Sequence, residues 1–140
     1  MWGCRRIVFT GKHVITQTDC PFCGIAQDRV LLGNEVAVAL RDTFPLTSGH
    51  TLVVPRTHVR SLYELPPEAQ ADVWELVRAV RQRLFESGVE AFNIGVNDGA
   101  AAGQTIDHAH IHIIPRRAGD CPDPRGGIRL ILPTKARYWE

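Results

Sequence analysis

His108-Ala109-His110-Ile111-His112-Ile113-Ile114, closed by Pro115, alternates polar and apolar residues with period two. That period belongs to a β-strand, whose successive side chains leave on opposite faces. Three of the six histidines of the chain therefore share one face, while Ala109, Ile111 and Ile113 share the other, the one a core would bury. At a rise of about 3.3 Å per residue, neighbouring imidazoles on that face stand roughly 7 Å apart at their Cα atoms, so all three can touch one small charged group. A phosphate suits the spacing. So does a zinc ion, because imidazoles two residues apart on a strand can converge on one metal.

Working upstream, Asp98-Gly99-Ala100-Ala101-Ala102-Gly103-Gln104-Thr105 is a glycine-rich connection. Glycine lets backbone N–H groups approach a phosphate and point inward as an anion nest. Ala91 to Asn97 alternates as a strand, so the connection joins two strands expected to be neighbours. Val30–Leu32 and Val36–Leu40 read as short strands joined through Gly33-Asn34, and Thr51 to Val54 as a third, ended by Pro55. Pro66-Pro67-Glu68 opens a helix that Gly88 closes, with Val73, Leu76, Val77, Val80 and Leu84 on one stripe. Arg78, Arg81, Gln82 and Arg83 face water there, interleaved with Asp72, Glu75 and Glu86, and are read as a solvated face. The expected architecture is an α+β domain on a largely antiparallel sheet.

A chain of 140 residues is the length of a single domain. Its formal net charge of +1 provides no global field for a polyanion, so no nucleic-acid partner is expected and any bound anion should be small. No window approaches a membrane span, so no membrane partner is expected and the predicted location is cytoplasmic. Residues 1–16 are expected to form an N-terminal extension, and 17–140 a single domain that includes the C-terminal tail.

Four cysteines fall as Cys20-Pro21-Phe22-Cys23 plus Cys4 and Cys121, which is no disulfide framework. The pair reads as half of a tetrahedral zinc site, with a redox dithiol and unmetallated thiols as alternatives. Against redox chemistry, no clear strand precedes Cys20, and Gly24 stands where a helix should open.

The triad strand, together with Asn97-Asp98-Gly99, Gly103-Gln104-Thr105, Ser48 to Pro55 and Pro115-Arg116-Arg117-Ala118-Gly119-Asp120, resembles the histidine triad (HIT) nucleotide hydrolases and transferases. The resemblance covers nearly everything from Cys20 onward. It implies a HIT-like fold with one long and one short helix, a homodimer, no organic cofactor, and about one structural zinc per chain held by Cys20, Cys23, His58 and His108. It also implies that Asp42 holds the ribose hydroxyls, and that Asn97, Gly103 and Thr105 contact the α-phosphate with Gln104 supporting the loop. His110 would be the nucleophile. His112 would serve the phosphate oxygens and leaving group, with His50 beside the triad as a further hydrogen-bond donor.

Near pH 7 a neutral imidazole offers a nitrogen nucleophile without a separate base. By resemblance to the dinucleoside polyphosphate hydrolases of the family, the expected reaction is hydrolysis of a nucleotidyl bond, as in diadenosine tetraphosphate, through a covalent nucleotidyl-histidine. A purine nucleoside phosphoramidase is the alternative within the same chemistry. From other classes, a metallohydrolase would gather zinc on the triad, and a sensor would bind nucleotide without cleaving it. The tail from Gly126 to Trp139 is apolar and aromatic, and by resemblance Trp139 is expected near the nucleotide site of the partner subunit.

Overall fold

In the computed structural model residues 19–139 are described; the expected extension over 1–16, and Cys4 within it, lie outside the described residues. Five strands form one antiparallel sheet: β1 (Val30–Gly33), β2 (Ala37–Arg41), β3 (Thr51–Pro55), β4 (Ala91–Val96) and β5 (Ile111–Arg116), in the order β1-β2-β3-β5-β4. One long helix, α1 (Pro67–Glu86), crosses one face, and a one-turn helix, α2 (Pro133–Ala136), lies in the tail. This is the α+β architecture expected from the alternating runs, with the long and the short helix.

Helix α1 stays where it is because Val73, Leu76, Val77 and Val80 are buried against Ala37, Ala39, Val53, Ile111 and Ile113. Burying each such side chain is worth about 1.5–3 kcal/mol. Gly88 ends it: at φ +97° its N–H donates to the Phe85 carbonyl (2.9 Å), and that of Val89 to Leu84 (3.1 Å). These are the two bonds of a Schellman cap. The opposite sheet face carries a smaller cluster, Val38, Leu40, Leu52 and Val54, under Phe22 and Ile25. Leu52 lies opposite His112 in register, so this second face is the one the histidines occupy.

Of two prolines expected to bound strands, Pro55 is the last residue of β3, and Pro115 lies one residue inside β5. Pro55 pairs with Ala37, and Pro115 with Phe92. In both, the side of the backbone that lacks an N–H faces a gap in the sheet. The Pro55 carbonyl accepts from the His108 ring, and that of Pro115 from the Thr47 hydroxyl, beyond the last β3–β5 pairs. Strand β2 starts at Ala37, one residue later than expected, because Asn34 Oδ1 accepts the N–H groups of both Val36 and Ala37.

The tail runs along the histidine side of β4. A Cβ at Gly95, the residue paired with His112, would meet Ile128 at 3.6 Å. Trp139 folds back over Gly126, where a Cβ would lie 2.7 Å from the indole, and Arg125 stacks on the same ring. Among the described residues no helix is long and apolar enough to cross a membrane.

Candidate active site

Strand pairing begins only at Ile111, so His108 and His110 enter from the segment before β5. The alternation nonetheless holds. Ala109, Ile111 and Ile113 are buried under α1, and the three imidazoles fall on the other side, where they divide into two groups with His110 between them.

His108 turns away from His112. Its Nδ1 lies 3.4 Å from Cys20 Sγ and 3.7 Å from Cys23 Sγ, and His58 Nδ1 lies 3.2 Å from Cys23 Sγ. Ligands at about 2.3 Å (sulfur) and 2.0–2.1 Å (nitrogen) around a tetrahedral zinc stand roughly 3.5 Å apart, so the four atoms match that shape. The far nitrogen agrees: His108 Nε2–H donates to the Pro55 carbonyl at 2.8 Å, which leaves Nδ1 as a lone pair aimed at the thiols. A metal-bound imidazole is held in that way. Burial, then the neighbouring His58 and His110, lower the His108 pKa to about 4 despite the bond to Pro55, so the ring is neutral and fit to ligate. Cys20, Cys23, His58 and His108 thus fit zinc, with all coordination positions taken by protein.

His110 is fixed by the chain itself. Its Nδ1 donates to the main-chain carbonyl of His108 at 2.8 Å; a carbonyl only accepts, so the proton sits on Nδ1 and Nε2 carries a lone pair. Phe22, the aromatic between the two cysteines, packs on His110 at 5.1 Å between centroids and on His108 at 5.8 Å. From sequence, Phe22 has no role of its own within Cys20-Pro21-Phe22-Cys23. Its contact with two triad rings was signalled, at most, by an aromatic standing between two thiols.

His112 faces another set. Its Nδ1 is 2.9 Å from His50 Nε2 and 3.8 Å from Asp42 Oδ2, and Asp42 Oδ2 is 3.3 Å from His50 Nε2. Burial first, then His110 and His50, lower the His112 pKa to about 4 against the opposing pull of Asp42. Burial also lowers that of His50. Both rings are neutral at pH 7. His50 is 3% exposed, against 25% for His112.

The glycine-rich loop is held from within. Gln104 accepts the Gly99 N–H and donates to the carbonyls of Arg60 and Ile106, while the Asn97 amide donates to the Ala102 carbonyl. Gly103 takes φ +87°, a left-handed conformation that costs glycine nothing. The β4–β5 pairing Val96–Ile111 leads on to Asn97 and His110, which sets the loop at the mouth of the histidine face. Thr105 is exposed on it. Downstream, Arg116 donates to both Asp120 oxygens at 2.7 Å and to Asn93, a clamp that pulls the Asp120 carboxyl well below its usual range and ties the run after β5 to β4.

The HIT domain family model matches residues 24–119. Among similar proteins, adenylylsulfatase HINT3 of Arabidopsis thaliana is 40% identical over 110 residues, 75% of this chain and 56% of that one. Adenosine 5'-monophosphoramidase hnt1 of Schizosaccharomyces pombe is 36% identical over 69% of this chain and 74% of its own length. Bis(5'-nucleosyl)-tetraphosphatase [asymmetrical] of the same yeast is 38% identical over 66% of this chain and 51% of its own. The chain therefore spans little more than half the length of the first and last of these. Among solved structures, a zinc-bound histidine triad family protein from Mycobacterium smegmatis superposes with a TM-score of 0.67 at 34% identity, over 83% of this chain and 92% of that one.

Proposed function

The chain belongs to the HIT domain family, and from that premise we propose that it hydrolyses a nucleotidyl phosphate bond through a covalent intermediate on His110. The observation that carries the reading is the tautomer of His110, whose Nδ1–H is tied to the His108 carbonyl so that Nε2 is a free nucleophile. Its lone pair attacks the α-phosphorus, an N–P bond forms, and the P–O bond to the leaving group breaks with its electron pair on the departing oxygen. His112 meets that oxygen with a hydrogen bond. Water then attacks phosphorus from the opposite side, the N–P bond breaks, and the nucleoside monophosphate leaves with His110 restored.

Asp42 binds the ribose hydroxyls; Asn97, Gly103 and Thr105 hold the α-phosphate oxygens on a loop that Gln104 braces. Positioning and preorganised donors of this kind supply most of phosphoryl-transfer catalysis. Zinc on Cys20, Cys23, His58 and His108, about one per chain, cross-links the N-terminal segment to the triad and takes no part in bond cleavage. No organic cofactor is required. The substrate is a dinucleoside polyphosphate such as diadenosine tetraphosphate, a reading supported by the tetraphosphatase among the relatives and by the Pro115 to Asp120 run. A phosphoramidase reading is favoured by the monophosphoramidase, which the chain covers more fully.

The protein acts as an isologous homodimer in the cytoplasm, with no nucleic-acid or membrane partner. Trp74 and Phe85 on the outer side of α1, the edge that β4 presents among the described residues, and Ile131 at 77% exposure supply surface for a second copy. Cys20, Cys23 and Cys121 form no disulfide, which suits a reducing compartment.

The deciding experiment is a chromatographic panel of diadenosine tetraphosphate, adenylyl sulfate and adenosine phosphoramidate. Turnover of the first fastest is expected. Binding of adenosine monophosphate with no turnover of any of the three would make the protein a nucleotide sensor instead. Sedimentation showing a monomer at micromolar concentration would end the dimer proposal.

A further inference from the structure

His50 is a buried imidazole, and both of its ring nitrogens are engaged within the protein. The Leu46 N–H approaches His50 Nδ1 at 3.1 Å. A backbone N–H can only donate, so Nδ1 holds a lone pair, and the single proton of the neutral ring must sit on Nε2. That Nε2–H meets His112 Nδ1 at 2.9 Å, with Asp42 Oδ2 at 3.3 Å beside it. His112 Nδ1 is thereby an acceptor, and the proton of His112 is forced onto Nε2. The opposite tautomer would set two N–H groups against each other across 2.9 Å. Asp42 is itself held, with Oδ1 accepting from the Phe44 N–H at 2.8 Å and its own N–H donating to the His50 carbonyl at 3.0 Å.

We propose that His50 is a positioning residue which, with Leu46 N–H behind it and Asp42 beside it, fixes His112 as the Nε2–H tautomer and so sets the hydrogen bond that meets the leaving oxygen. The inference rests on the reading of His112 given under Proposed function. It also gives Asp42 a second duty apart from the ribose. The same bonds argue against a metal here, although Asp42, His50 and His112 bring three ligand atoms within 4.8 Å of one another. A metal on His50 Nε2 would move the ring proton to Nδ1, where it would face the Leu46 N–H.

Three measurements test this. In protein labelled with nitrogen-15 at histidine, the His112 ring, identified by its loss in His112→Ala, is expected to show a protonated Nε2 and an unprotonated Nδ1 at pH 7. His50→Gln, whose side-chain amide can still donate to His112 Nδ1, should keep that tautomer and turn over within about tenfold of the wild type, whereas His50→Ala should lose about 10²-fold. The His50→Ala loss should vanish in a His112→Ala background, as expected of residues acting as one unit. A protonated Nδ1 on His112 in the wild type would overturn the proposal, as would a His50→Ala loss that persisted undiminished without His112. So would a second cobalt(II) absorption site that Asp42→Asn removes. The ring signals need no substrate, so a protein that turned over nothing in the panel would defeat the proposed reaction and still leave the tautomer decided by its own spectrum.

Discussion

Two clusters among the described residues bring histidines together with acidic or thiol ligands at metal-like separations, and they differ in which way one hydrogen bond runs. In the first, the far nitrogen of His108 donates to the Pro55 carbonyl and leaves the near nitrogen bare beside Cys20 and Cys23. In the second, the far nitrogen of His50 receives the Leu46 N–H and leaves the near nitrogen protonated, facing His112 and Asp42. The first can take a metal and the second holds a proton. Proximity of ligands is thus insufficient evidence for a metal site; the partner of the opposite ring nitrogen decides.

The largest effect that could break this comparison is on stability. Binding energies of roughly 10–16 kcal/mol are typical for structural zinc in small domains, and here they would be coupled to holding the N-terminal segment against the triad. Removing the metal, or Cys20→Ser, is expected to lower the melting temperature by more than about 10 °C in calorimetry. Metal analysis should read about one zinc per chain; an unchanged melting point in metal-free protein would erase the first half of the contrast.

Next comes His110, the ring between the two clusters. His110→Ala should lower turnover by several orders of magnitude, about 10⁴–10⁶, while calorimetric binding of adenosine monophosphate persists. Rapid quenching with substrate labelled at the α-phosphate should trap an acid-labile adduct on the wild type; the same adduct on His110→Ala would mean that another residue attacks. A smaller loss, about 10²–10⁴-fold, is expected for His112→Ala, since its part is a hydrogen bond to the leaving group. His112→Gln, which keeps a donor, should recover part of it in steady-state kinetics.

The smallest effect sharpens the second cluster alone. The folded pKa of His112 is lowered to about 4, and that of His50 is lowered as well, both chiefly by burial, from the ordinary 6.5. The unfolded chain binds these protons first as pH falls. The stability these rings contribute is therefore fully present above about pH 6.5 and is lost between there and about pH 4, on the order of 1–3 kcal/mol. Urea midpoints across that window should decline, and less so in His112→Gln; a flat profile would contradict the burial of these rings as neutral species.

Much of this was legible in order along the chain. The period of two from His108 to Ile114 put the imidazoles on one side, and they do lie opposite the face that α1 buries. The helical stripe from Val73 to Leu84 and the glycine that ends it were equally plain. Element ends were less so. Pro115 lies inside β5, and only the pairing pattern reveals that the side of it without an N–H lacks a neighbouring strand.

By itself, the sequence determined the face each residue takes, since side-chain direction in a strand or helix follows from local periodicity alone. Which way a ring turns, and what its second nitrogen meets, depends on residues far away in the chain. Pro55 stands 53 positions from His108, and His50 stands 62 from His112. The resemblance already sets His108 with the thiols and His50 beside the triad; only the tertiary structure decided which nitrogen of each ring faces its neighbours, and that Phe22 covers His110. Those choices are made by strand order and by the hydrogen-bond demands of main-chain groups that no local pattern encodes.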